Sequence, residues 1–200
     1  MADLVTSSKK TLYIYVGPPG TGKTTSAKTC NDVSCNTSIC EADLFEKLYT
    51  RTAINIDLLN EAHTWCKNSV RDAMIRGDDT IVQSNTNLYF RQTCVYFEMA
   101  CEYGYDVVVV SPEPGNLLHY PSNLSYSQQK EHIKYVRSGN IEGEKEIPAQ
   151  KMDEMILQFE RIVDRIREIQ TELGTENNDP GQWILKIDEK FPIYTPTQKK

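Results

Sequence analysis

An α/β fold, built on a parallel β-sheet of four to five strands with helices on both faces, is predicted by three observations. Short β-branched and aromatic runs alternate with amphipathic helical stretches, the order of parallel βαβ units. The first run, Thr11-Leu12-Tyr13-Ile14-Tyr15-Val16, leads directly into the glycine-rich stretch Gly17-Pro18-Pro19-Gly20-Thr21-Gly22-Lys23-Thr24. A later run, Asp106-Val107-Val108-Val109-Val110, is apolar without alternation, as strands buried on both faces are. Two hundred residues are enough for one such domain with a real core.

The glycine-rich stretch fits Gly-x-x-x-x-Gly-Lys-[Ser/Thr], the pattern of a phosphate-binding loop, and it stands between a strand and a helix as that pattern requires. Its glycines let the backbone curl until several N–H groups converge, and those dipoles favour an anion. Gly17, Pro18, Pro19, Gly20, Thr21, Gly22, Lys23, Thr24 and Thr25 are therefore expected to hold a nucleoside triphosphate, ATP or alternatively GTP. Lys23 would reach the β- and γ-phosphates, and the Thr24 hydroxyl would be a ligand of Mg²⁺.

The remaining elements follow in order. Residues 37–40 form a short second strand, ending at Glu41-Ala42-Asp43. Residues 54–76 read as a long helix with Ile54, Leu58, Leu59, Ala62, Trp65, Cys66, Val70, Ala73 and Met74 on one stripe, stopped by Gly77. Thr80-Ile81-Val82-Gln83 is a third strand, running into Ser84-Asn85-Thr86-Asn87, and residues 88–103 are a helix closed by Gly104. After the valine strand comes a Pro/Ser/Asn/Tyr-rich connection, then a helix at 128–137 and a polar loop at 138–146. A strong helix spans 149–173, with Met152, Met155, Ile156, Phe159, Ile162, Val163, Ile166 and Ile169 on its apolar face. Residues 182–187 make a last strand. Residues 1–10 are read as a flexible N-terminus and 189–200 as a loose tail.

Ligands of such sheets bind where strands end at their carboxyl edge. The segments leaving that edge are 17–24, 41–46, 84–87 and 111–115, which should line one crevice. Asp43 is the candidate base for orienting an acceptor hydroxyl and taking its proton. Its rivals are Glu41 and Glu46, and its structural alternative is to cap a helix starting at Leu44. Asn85-Thr86-Asn87 stands where many phosphate-loop proteins carry an acidic strand end, yet is uncharged, so Mg²⁺ would rest on Thr24, the phosphates and water with Asp43 or Glu41 close by; Asn87 could instead cap the helix at Leu88. Glu41, Asn85, Asn87 and Arg91 are candidate substrate contacts. Arg137 is the candidate cation over the transferring phosphate, with Lys134 and Lys145 in reserve. Asp78 and Asp79 read as turn residues, and His63, His119 and His132 receive no chemistry.

The net charge of −6 and pI near 5.2 argue against a protein that grips nucleic acid by bulk charge. Six cysteines show no metal-ligand spacing, and with an ATP-using fold their scatter suits a cytoplasmic, reducing compartment. No apolar run approaches the length needed to span a bilayer, and no signal-peptide core follows Met1.

Taken together, the segments resemble the polynucleotide 5′-hydroxyl kinase branch of the P-loop kinases, which includes the phage 5′-kinase and the kinase-like region of the myelin cyclic-nucleotide phosphodiesterase. The loop at 17–25 is similar to the family's Gly-x-Pro-Gly-Ser-Gly-Lys-[Ser/Thr]. Ala42-Asp43-Leu44-Phe45 is similar to its Asp-x-[Tyr/Phe] element. Ser84-Asn85-Thr86-Asn87-Leu88 resembles its [Asp/Asn]-Thr-Asn element, and residues 136–148 fall where the family has its arginine-bearing lid. The resemblance covers about residues 11–165. It implies one P-loop kinase domain at 11–188, a helical lid around 127–148, and transfer of the ATP γ-phosphate to a 5′-hydroxyl of RNA or DNA. On it, Lys23 and Thr24 hold phosphates and Mg²⁺, Asp43 is the base and Arg137 the lid arginine. Three features depart from the family: Glu46 stands where the phage enzyme has a basic residue, Asn85 replaces an acidic residue of some members, and the lid carries Glu142, Glu144 and Glu146. A small-molecule kinase in the manner of the zeta-toxin relatives, or a nucleotide-binding module without catalysis, are the alternatives. The closing Lys199-Lys200 suits a domain cut from a longer multidomain chain.

Overall fold

The computed structural model describes residues 10–29, 36–50, 53–112, 115–120, 122–138, 146–173 and 182–185. The expected flexible N-terminus, the loose tail, Cys30, Cys35, the acidic lid residues 142 and 144, and Lys145 lie outside them, apart from Lys10.

The main sheet is made of β1 (Thr11–Tyr15), β2 (Thr37–Cys40), β5 (Thr80–Gln83), β6 (Asp106–Val110) and β7 (Gln182–Leu185), in the spatial order β2-β5-β1-β6-β7. The first four are parallel, with Leu12 level with Ile81 on one side and Val107 on the other. β7 joins the edge antiparallel to β6, so the fifth strand does not extend the parallel set as expected. A two-stranded hairpin, β3 (Tyr49–Thr50) with β4 (Ala53–Ile54), was not foreseen from the sequence.

Strand alternation gives the sheet two apolar faces. One carries Leu12, Ile14, Ile81, Val107 and Val109 and is covered by α2 (Leu59–Arg76), α3 (Phe90–Tyr103) and α5 (Ala149–Leu173). From α5 come Met152, Ile156, Phe159, Ile162 and Val163, as the helical spacing predicted; Ile166 and Ile169 lie outside the described side chains. The other face carries Tyr15, Val82, Val108 and Val110 against Ala27 of α1 (Lys23–Thr29). α4 (Tyr126–Arg137) leans on α5 through the ion pairs Lys130–Glu160 and Lys134–Asp153, 3.1 and 2.6 Å.

Helix boundaries moved where local capping outranked hydrophobic periodicity. The stretch at 54–76 opens as β4 and a 3₁₀ turn at Ile56–Leu58, where the Asn55 side chain accepts from the Asp57 amide. α2 starts only at Leu59, and its Leu59 and Trp65 stay partly exposed at the stripe's edge, Trp65 tilted against Phe45 at 6.0 Å. Gly77 ends the helix in the left-handed conformation, φ +82°, as predicted. α4 begins two residues early because Ser125 and Gln128 form a reciprocal capping box.

Candidate active site

The loop after β1 is held from beneath by two neighbouring strand ends. Gly17 donates its N–H to the Thr86 carbonyl at 3.0 Å, and Val16 donates to Val110 at 2.8 Å. A third support comes from the segment after β6. The His119 amide donates to Thr21 at 2.8 Å, and the His119 ring nitrogen lies 3.0 Å from the Val16 carbonyl. Burial, with repulsion from Lys23 added, pushes the His119 pKa down to about 3. The ring is therefore neutral at physiological pH, and a carbonyl acceptor requires Nε2 to carry its proton. No spacing rule pointed to His119.

Within the loop, Lys23 is 7% exposed and donates Nζ to the Pro18 carbonyl at 2.8 Å, which also accepts from the Thr21 hydroxyl at 2.9 Å. The ammonium is thus turned onto the loop it would leave for a phosphate. Thr25 is exposed on the first turn of α1. Gly22 takes φ +86°, and a Cβ there would stand 2.8 Å from two ring carbons of Tyr120. Gly22→Ala should therefore abolish nucleotide affinity and lower thermal stability, the left-handed backbone alone costing about 1–3 kcal/mol. Tyr120→Ala added to it removes the clash but not the backbone strain, so a fluorescent-nucleotide titration should show no recovery in the double variant.

Thr24 donates its hydroxyl to Glu41 Oε2 at 3.0 Å, so Glu41, a candidate substrate contact, stands beside the glycine-rich loop. Asp43 sits inside a 3₁₀ turn, Ala42–Leu44, with its side chain exposed; no helix starts at Leu44 for it to cap. The turn is pinned by Asn85, whose Oδ1 accepts from the Ala42 amide at 2.8 Å while its Nδ2 points to Cys66 Sγ at 3.4 Å. Asn87, at φ +49°, donates Nδ2 to the Tyr15 carbonyl at 2.7 Å and to the Gln83 side chain. Both amides, the candidate substrate contacts, also brace the segment that follows β5. Nor does Asn87 cap a helix at Leu88: α3 begins at Phe90, with Gln92 reaching back to the Tyr89 amide.

Beside these braces opens a cleft of about 310 Å³ lined by His63, Lys67, Asn85, Thr86, Asn87, Arg91, Gln92, Val95 and Tyr96. Arg91 lies on the first turn of α3, its guanidinium over the Tyr89 ring at 5.4 Å. Burial pushes the His63 pKa down, opposed by the nearby Asp43 charge and aided by Lys67. Beneath the floor, burial raises the Cys66 thiol and lifts Cys40 to about 12, which makes both inert as nucleophiles.

Arg137, at the end of α4, packs on the loop: a Cβ at Gly20 would lie 3.5 Å from its Nε and 3.7 Å from its Cγ. The reserve cation Lys134 is committed instead to Asp153 and Glu131. Glu46 is exposed. Among the described residues no cluster of three or more His, Cys, Asp and Glu could hold a metal ion by itself. The Thr24–Glu41 pair is a hard-oxygen donor set and fits Mg²⁺, which keeps several of its ligands as water and phosphate.

Residues 12–120, more than half of the chain, match the AAA domain family. The chain belongs to the AAA domain family. In this AAA domain the glycine-rich loop joins β1 to α1 at the centre of the order β2-β5-β1-β6-β7. Among solved structures it is similar in fold to a chain of the Pnkp1/Rnl/Hen1 RNA repair complex, with a TM-score of 0.59 and 16% identity over 96% of this chain and 53% of that one. This chain thus spans about half the length of that chain. A second structure of a Pnkp1/Rnl/Hen1 complex matches at a TM-score of 0.45 and 20% identity, over 62% of this chain and 44% of that chain. The Mycobacterium tuberculosis APS kinase CysC, in complex with AMPPNP and APS, matches at 0.41 and 14% identity, over 76% of this chain and 98% of that chain. Among the described residues no helix is long and apolar enough to cross a membrane.

Proposed function

We propose that this chain is an intracellular, ATP-dependent kinase that transfers the γ-phosphate to the 5′-hydroxyl of RNA or DNA ends. The observation that carries this reading is adjacency. The glycine-rich loop and the cleft share Thr86, and the segment leading into the Asp43 turn touches both, Glu41 accepting from Thr24 and the Ala42 amide donating to the cleft-lining Asn85. On this otherwise acidic chain the cleft presents Lys67 and Arg91, a local cationic lining suited to the phosphates of a nucleic-acid end.

In this reading Asp43 accepts the proton of the acceptor hydroxyl as its oxygen bonds the γ-phosphorus. The bond from that phosphorus to the bridging oxygen breaks, and ADP leaves with the electron pair. Lys23 exchanges the Pro18 carbonyl for phosphate oxygens, and Arg137, already against Gly20, supplies positive charge from the lid side. Magnesium held by Thr24 would supply charge neutralisation of the β- and γ-phosphates.

The cleft volume favours a second reading. About 310 Å³ is at the small end of ligand sites, the size of one nucleoside and not of an extended strand. Transfer of γ-labelled phosphate to 5′-hydroxyl RNA, 5′-hydroxyl DNA and free nucleosides separates the two. Label on the oligonucleotides, reduced about 10²- to 10⁴-fold by Asp43→Asn, supports the polynucleotide kinase. Label on nucleosides alone makes it a small-molecule kinase, and nucleotide binding without label on any acceptor makes it a binding module.

A further inference from the structure

The strand next to β1 in this kind of site usually ends in a carboxylate that stands beside the loop's Ser/Thr and its metal. Here β5 ends in Gln83-Ser84-Asn85, with no charge. Gln83 is taken up by Tyr96 and Asn87, and Asn85 by Ala42 and Cys66. Ser84 is different: it is 4% exposed, and its hydroxyl has no hydrogen-bond partner among the described residues. A buried hydroxyl without a partner is uncommon enough to require an explanation.

The sheet supplies one. The Ser84 amide donates to the Cys40 carbonyl at 3.3 Å, continuing the β2–β5 ladder by one step and bringing Glu41 level with Ser84. Val82 and Ile39 pack on the face that carries α1. By strand alternation their second neighbours, Ser84 and Glu41, fall on that same face. There Glu41, 5% exposed, accepts from the Thr24 hydroxyl at 3.0 Å, and among the described residues no ion pair reaches it. A buried carboxylate with only a hydroxyl for company is costly unless a cation joins it.

We propose that Glu41 is the metal-side carboxylate of this site, brought across from β2, and that Ser84 occupies the place of the missing strand-end acid with its hydroxyl turned toward the same cation. The inference rests on the reading of residues 17–24 as a triphosphate site. It gives two carboxylates that are close neighbours in the chain different roles, with Glu41 directed to the divalent ion and Asp43 to the acceptor.

Metal binding, measured without turnover, is the test. Mn²⁺ is titrated by electron paramagnetic resonance in the presence of a non-hydrolysable ATP analogue, for the full chain, Glu41→Gln, Glu41→Gln/Ser84→Asp, and the exposed control Glu46→Gln. The expected result is a loss of Mn²⁺ affinity of about 10- to 100-fold in Glu41→Gln, recovery in the double variant, and no change in Glu46→Gln. Melting curves check that the isosteric variant is folded. Unchanged Mn²⁺ affinity in a folded Glu41→Gln overturns the assignment of Glu41, and failure of Ser84→Asp to restore it overturns that of Ser84. If the analogue does not bind the unaltered chain at all, the triphosphate reading falls, and this inference with it.

Discussion

Lys23→Ala is expected to remove phosphoryl transfer, with kcat/KM falling about 10³-fold or more, while the fold survives. The lysine sits on the first turn of α1 with its ammonium buried against the loop, so no other side chain can take its place at the phosphates without rebuilding the turn. Its loss costs little stability, because the Pro18 carbonyl it now serves keeps the Thr21 hydroxyl as a donor at 2.9 Å. Lys23→Arg should fail as well, since a planar guanidinium does not fit a cradle shaped for a compact ammonium. Label transfer and nucleotide titration on both variants, beside a melting curve, check this. Transfer at the unaltered rate in a folded Lys23→Ala would remove the loop from the chemistry altogether.

The largest effect on stability is expected at Asp78, which reads in the sequence as a simple turn residue. It is only 2% exposed and gathers the edge of the sheet, accepting from Ser38 at 2.6 Å, Asn36 at 3.0 Å and Arg76 at 2.7 Å. Burial works to raise its pKa, but the bonds from Ser38, Arg76 and Asn36 together with the Arg76 charge hold it below the usual carboxylate value. Asp78→Ala leaves those donors at the β2 edge without their acceptor and should cost about 3 kcal/mol, lowering the melting temperature by roughly 10 °C. Because the folded pKa is depressed, the stabilisation is fully present above the unfolded carboxylate pKa, near 3.9. It is lost as pH falls through that value and the folded one below it. Denaturant melts between pH 7 and 2 should show a steeper acid loss in the unaltered chain than in Asp78→Asn. Parallel curves would place the pH dependence elsewhere.

Most of the strands were legible because their signals are local. Residues 37–40, 80–83 and 106–110 are short runs rich in β-branched and apolar side chains, and all three form the strands expected. Helix starts were less so. Periodicity marks which positions can face a core, but the first turn is decided by which side chain meets the exposed N–H groups, as Asn55, Gln92 and Ser125 do here. The β3–β4 hairpin has two-residue strands, too short for any pattern to register. The orientation of β7 is likewise absent from the local sequence, since a parallel and an antiparallel edge strand share one composition.

For the site, the sequence by itself determined the phosphate loop: its glycine conformations, its lysine and its hydroxyl follow from backbone dihedral preferences and spacing over a few consecutive residues. Tertiary structure alone decided what surrounds it. Glu41 reaches Thr24 across 17 positions, His119 reaches Val16 across 103, and Arg137 comes from the end of α4 to lie on Gly20. These meetings are set by the order β2-β5-β1-β6, and that order is selected by burying both apolar faces of the sheet at once. No window of sequence contains that condition, so carboxylates as near in the chain as Glu41 and Asp43 could be told apart only when the fold had placed one inside and one out.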